Sequence, residues 1–143
     1  MKKHYLIGID PGTKTGFAIW NAKAQEFTQV ETRNIVSAMQ QIRFIVNDKV
    51  VVFFEDARLR KFFGNSGRER LQGAGSIKRD SAIWEEFCKY YDIEYQAVAP
   101  KNNITKTKAD YFKKLTGWDG RTSEHSRDAG MLVFGRPRWN TAE

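Results

Sequence analysis

Ile7-Gly8-Ile9-Asp10-Pro11-Gly12-Thr13 joins an apolar run, an acid and a turn, and the architecture of the chain follows from it. Residues 5–9 are short, apolar and partly β-branched, as a strand requires, and Asp10-Pro11-Gly12 is turn chemistry that ends it. Working outward, 16–20 (Gly-Phe-Ala-Ile-Trp) reads as a second strand and 26–33 as a third with rough alternation. The two links are short and carry turn residues, so an antiparallel meander is expected. Residues 37–47 place Met39, Ile42, Ile45 and Val46 at helical spacing, with Ser37 as N-cap. The run 49–54 is continuously apolar after Lys49, the pattern of a central strand buried on both faces.

Residues 56–75 lose this periodicity and are rich in arginine and glycine, with Phe62-Phe63 among them. A long, mobile, basic loop is expected there. Helical spacing returns over 76–91, a strand follows over 93–98, a basic helix over 105–115 and a last helix over 123–134. Gly135-Arg136-Pro137 stops that helix, and a frayed tail is expected over 138–143. The order is three strands, helix, strand, helix, strand, helix, helix. It implies an α/β fold with a mixed five-stranded sheet and helices on both faces, in a single domain spanning 1–143.

With 143 residues, 41% hydrophobic and 13% aromatic, the chain can build a real core and is not a disordered segment. Lysine and arginine exceed aspartate and glutamate by 24 to 17, a net charge of +7, which favours polyanionic partners, nucleic acid first. The same charge could serve solubility alone. A single cysteine, Cys88, excludes an intrachain disulfide and fits a reducing compartment. Neither a signal peptide nor a membrane span is legible, so a soluble, cytoplasmic protein is expected.

Three acids stand out by location. Asp10 closes the first strand, Glu55 closes the central apolar strand, and Asp128 lies on the last helix in His125-Ser126-Arg127-Asp128-Ala129. Carboxylates at adjacent strand ends share one sheet edge, where α/β sheets place their binding crevices. Packed together they repel one another unless a hard divalent cation neutralises them, and Mg²⁺ and Mn²⁺ favour such oxygens. A pair of these ions can activate water and stabilise the leaving oxygen of a phosphodiester. His125 and Asp128, at i and i+3, share a helix face, so His125 can ligate a metal or handle a proton. Each residue also has an ordinary structural reading: Asp10 as a turn former, Glu55 paired with an arginine, His125 as surface, Asp128 bonded to Arg127 or Arg121.

In combination these stretches resemble RuvC-type Holliday-junction resolvases. Ile7 to Thr13, followed by Gly16 and Ala18, looks like the family's opening strand with its catalytic aspartate. Val51-Val52-Phe53-Phe54-Glu55 resembles the strand carrying its catalytic glutamate, and Gly73-Ala74-Gly75-Ser76-Ile77 the glycines entering the helix after its flexible loop. Val98-Ala99-Pro100-Lys101, with Lys106 and Lys108, is similar to its proline-lysine segment, and His125 to Ala129 to its final motif. The resemblance runs from about residue 5 to 134. It implies a ribonuclease H-like fold, with Asp10, Glu55, His125 and Asp128 as catalytic and metal residues. It also implies two Mg²⁺ ions per subunit (Mn²⁺ as substitute), no small-molecule cofactor, a homodimer, and cleavage of branched DNA. Many members carry aspartate where this chain has His125, and the loop around 58–63 is unusually basic. A compact phage or prophage version, in a bacterium or infected host cell, would fit the length.

Arg58, Arg60, Lys61, Lys101, Lys106 and Lys108 are the expected phosphate contacts, and Phe62 or Phe63 could stack on an unpaired base or pack on the sheet. Ile83, Trp84 and Phe87 are candidates for a dimer interface, or equally for the core. Two further readings stand beside a junction resolvase: a nuclease for flaps, forks or RNA–DNA hybrids, and a silent nucleic-acid-binding module.

Overall fold

The computed structural model describes residues 2–45, 50–59 and 68–140, with the backbone alone for 68–74. Two short strands, β1 (Lys2–Lys3) and β7 (Trp139–Asn140), pair antiparallel with Lys3 opposite Trp139. The tail is therefore held as far as Asn140, where fraying was expected. The Trp139 ring meets Phe53 edge-on at 5.2 Å, and that contact anchors it. Residues 141–143 lie outside the described residues.

The main sheet is built around β2 (Tyr5–Asp10). It pairs antiparallel with β3 (Thr15–Asn21) and parallel with β5 (Val50–Glu55). β4 (Glu26–Arg33) adds antiparallel to β3, and β6 (Tyr95–Val98) adds parallel to β5. The order β4-β3-β2-β5-β6 is the mixed five-stranded sheet expected from the sequence. Alternation along β2 sends Ile7 and Ile9 to one face and Leu6 to the other. On the first face they meet α1 (Ile35–Ile45) through Ala38 and Ile42, and α2 (Arg68–Tyr90) through Trp84, Phe87 and Cys88. On the second face Leu6, Trp20 and Phe53 pack on Phe112 of α3 (Ala109–Thr116) and on Ala129, Leu132 and Val133 of α4 (Glu124–Val133). Among the described residues no helix is long and apolar enough to cross a membrane.

Several boundaries differ from expectation, each for a local reason. Helix α1 starts at Ile35 because Asn34, not Ser37, caps it: Asn34 Oδ1 accepts the Ser37 N–H at 2.8 Å. Within the expected loop, 57–59 form a 3₁₀ turn and α2 already runs from Arg68. The helix persists without an apolar period over its first turns because Arg, Glu, Leu, Gln and Ala favour it intrinsically. Residues 60–67, with Arg60, Lys61, Phe62 and Phe63, lie outside the described residues. Helix α3 begins at Ala109 rather than 105, since Lys106 sits at φ 59°, outside any right-handed helix.

Of the residues expected at a dimer interface, Trp84 is fully buried and Phe87 nearly so, both in the chain's own core, while Ile83 is half-buried. Helical spacing placed all three on one side. The sheet claims two of them.

The contact that positions everything else lies between α4 and the sheet. A Cβ on Gly8 would stand 2.0 Å from the Ala129 carbonyl oxygen, and one on Gly16 would stand 1.9 Å from that of His125. Only glycine lets the helix backbone rest on the strand backbones this closely.

Candidate active site

Asp10 and Glu55 end β2 and β5, which are parallel neighbours with Ile9 opposite Phe54, so both carboxylates emerge at one edge of the sheet. Helix α4 brings its first turn to the same edge. Ser123 caps that turn, accepting the Ser126 N–H at 3.1 Å while Ser126 Oγ accepts the Ser123 N–H at 2.8 Å. A hydrogen bond between the hydroxyls of Ser123 and Thr32 ties the cap to β4. With the turn fixed, His125 Nδ1 lies 3.0 Å from Asp10 Oδ2. Asp10, Glu55, His125 and Asp128, drawn from three separate elements, line one cavity of about 500 Å³. Its remaining wall comes from the Asp10 turn, from Ala57, and from Ser76, Ile77, Arg79 and Asp80 of α2.

Two of the acids, Asp10 and Asp128, hold their protons above the ordinary carboxylate range. Burial pushes the Asp10 carboxyl up to about 7; the hydrogen bond from His125 opposes this, and the charges of Asp128 and Glu55 add to it. Asp128 is also raised, first by burial, against the Lys106 N–H that donates to its Oδ1 at 2.8 Å.

A stability consequence follows for the metal-free protein. Between the unfolded carboxyl value, about 3.9, and the folded value near 7, the unfolded chain releases a proton that the fold retains. Stability therefore falls as pH rises through this window and then levels off. With the Asp10 side chain 18% exposed, the loss should be on the order of 1–3 kcal/mol after screening. Thermal melts in chelator should show Asp10→Asn above wild type at pH 8 and the two converging near pH 4. A gap that does not widen over that range would contradict the raised value.

Other side chains at the site were not singled out by sequence reasoning. Asn103 donates from Nδ2 to Glu55 Oε2 at 3.0 Å and to the Asp128 carbonyl at 3.3 Å. Asp80, 8% exposed, faces the cavity from α2, with Arg79 3.6 Å from its carboxylate. Ser81 accepts the Ala57 N–H at 3.2 Å and lies 3.4 Å from the Glu55 carbonyl, pinning α2 to the end of β5. No local pattern marks these residues, because their roles depend on long-range packing. Of the expected phosphate contacts, Lys101, Lys106 and Lys108 are exposed on the segment between β6 and α3. Arg58 is engaged instead: Asp56 accepts from it at 2.8 and 2.7 Å, and Glu85 at 3.3 Å. These partners raise its pKa, and Arg58 acts as a brace between β5 and α2.

Among the described residues, no three His, Cys, Asp or Glu side chains are drawn in tightly enough to cage an ion unaided. The donor chemistry nevertheless fits a hard divalent cation. Four carboxylates, Asp10, Glu55, Asp80 and Asp128, line the cavity. After burial, the charges of Asp128 and Glu55 help keep Asp10 protonated toward neutrality, and a cation is what would relieve that repulsion.

No family model matches the sequence, and no curated protein matches it. Among solved structures the chain is similar to T. thermophilus RuvC in complex with a Holliday junction substrate. The TM-score is 0.59 and the identity 14%, over 91% of this chain and 90% of that one. The likeness shows the fold: this chain has the ribonuclease H-like architecture, with its mixed sheet and helices on both faces.

Proposed function

We propose that the chain is a metal-dependent endonuclease that cuts branched DNA, four-way junctions first, as a homodimer in the cytoplasm of a bacterium or infected host cell. The observation that carries this reading is the convergence of Asp10, Glu55, His125 and Asp128 on one cavity. Their order along the chain and the fold both agree with a RuvC-type nuclease. Asp10, Glu55, His125 and Asp128 would hold two Mg²⁺ ions, with Mn²⁺ as substitute. Bound there, the ions supply an activated water and charge stabilisation at the leaving oxygen. The chain's own part is to fix the carboxylates at the sheet edge, keep His125 on Asp10, and present exposed Lys101, Lys106 and Lys108 to phosphates. Paired cuts need two sites related by a two-fold axis. Half-buried Ile83, with Met39, Tyr90 and Tyr91, leaves an open apolar groove between α1 and α2 for that contact.

The test is cleavage of a mobile four-way junction beside linear duplex, flap, fork and RNA–DNA hybrid, with Mg²⁺ and with Mn²⁺. Junction cleavage well above that of linear duplex is the expected result. Cleavage of none of them rejects the nuclease reading, and preference for hybrid reassigns the substrate. Because Asp10 keeps its proton to about 7, Mn²⁺ affinity should fall about tenfold per pH unit below that value. Light scattering at assay concentrations should give a dimer with junction bound.

A further inference from the structure

Asn103 follows the 3₁₀ turn Pro100–Asn102 and belongs to no regular element. Its side chain joins two that do. The Nδ2 group carries two N–H donors, and two acceptors lie within reach: Glu55 Oε2 from β5 at 3.0 Å, and the Asp128 carbonyl from α4 at 3.3 Å. At the other end of the amide, Oδ1 is buried and has no hydrogen-bond partner among the described residues. An asparagine kept for folding alone would be expected to satisfy both ends. Here the donor end is used twice, and the acceptor end meets no partner among the described residues.

The backbone around Asn103 is fixed as well. The Asn103 N–H donates to the Pro100 carbonyl at 3.1 Å. Three residues on, Lys106 takes a left-handed φ of 59°, a costly conformation for lysine, and delivers its N–H to Asp128 Oδ1 at 2.8 Å. Arg127 Nε then donates to the Thr107 carbonyl at 2.6 Å, and Thr107 is buried. The segment from Asn103 to Thr107 is thus tied to Arg127 and Asp128 of α4, and Asn103 extends the tie to Glu55.

Resting on the metal reading above, we infer that Asn103 is the positioning residue of the site: it holds Glu55 against the Asp128 turn so that both carboxylates are fixed on one cavity, where they would hold the cations. A neutral donor is required. Aspartate has the same shape but no N–H, and it would set a like charge against Glu55.

The experiment titrates Mn²⁺ by electron paramagnetic resonance into wild type, Asn103→Ala and Asn103→Asp, with thermal melts and metal-free junction binding alongside. Both variants should bind Mn²⁺ about 10- to 100-fold more weakly, with metal-free DNA affinity unchanged. A purely space-filling role would spare the isosteric Asp variant. In wild type, the Asn103 side-chain amide cross-peak should shift on Glu55→Gln without any metal, which decides the contact even if the alanine variant does not fold. Wild-type binding with both variants folded and within twofold of it, or an unmoved cross-peak, overturns this inference alone. A wild-type protein that binds no Mn²⁺ overturns the metal reading, and this inference with it.

Discussion

Asp10→Asn, Glu55→Gln and Asp128→Asn should each lower single-turnover junction cleavage by about a thousandfold, equivalent to roughly 4 kcal/mol of transition-state stabilisation. The three acids reach the cavity from two strand ends and one helix, and their crowding is the property that a divalent cation answers. A neutral amide keeps the shape but holds a hard cation poorly. Each variant should retain the wild-type circular dichroism spectrum and bind junction DNA within a few-fold of wild type, because the proposed phosphate contacts are the exposed Lys101, Lys106 and Lys108 rather than the acids. A near-wild-type cleavage rate in any one variant removes that residue from the site.

Gly16→Ala is expected to cost about 3 kcal/mol of stability and most of the activity of whatever still folds. Gly16 has no special backbone angle that excludes alanine; the obstacle is space. The added Cβ would lie 1.9 Å from the His125 carbonyl oxygen, 2.5 Å from its carbon and 2.9 Å from the Asp10 Cβ. Since backbone cannot rotate aside as a side chain can, α4 must lift from the sheet, and His125 must leave Asp10. Urea melts give the stability, and cleavage under folding conditions gives the site. Gly75→Ala is the control, because nothing among the described residues lies within 4 Å of a Cβ there. If Gly16→Ala melts like wild type, helix and sheet are not in the contact described.

The sequence reading succeeded where one rule governs a stretch. Alternation, turn residues and an apolar run located β2, β3, β4 and β5, and a carboxylate after each of two such strands located Asp10 and Glu55. Spacing on one helix put His125 beside Asp128. It could not decide where two elements compete for the same residue. Trp84 and Phe87 have the spacing of an interface, and only the position of α1 and the sheet puts them in the core. Arg58 looks like a phosphate ligand until Asp56 and Glu85 are seen to hold it. Asn103 carries no local signal, because its two partners lie 48 and 25 residues away in the chain.

Cys88 is the chain's sole thiol, fully buried in the core between α2 and the sheet, and burial pushes its pKa up to about 12, with the Glu85 charge adding to the shift. Its chemistry is therefore silent while that core is closed. A small disulfide reagent can capture the sulfur only during an opening of α2, so its labelling rate measures how often that helix leaves the sheet. The natural protein carries its own clock for this motion. Slower labelling when divalent cation or junction DNA is present would register, without any engineered probe, how far occupancy of the sheet edge steadies the opposite end of α2.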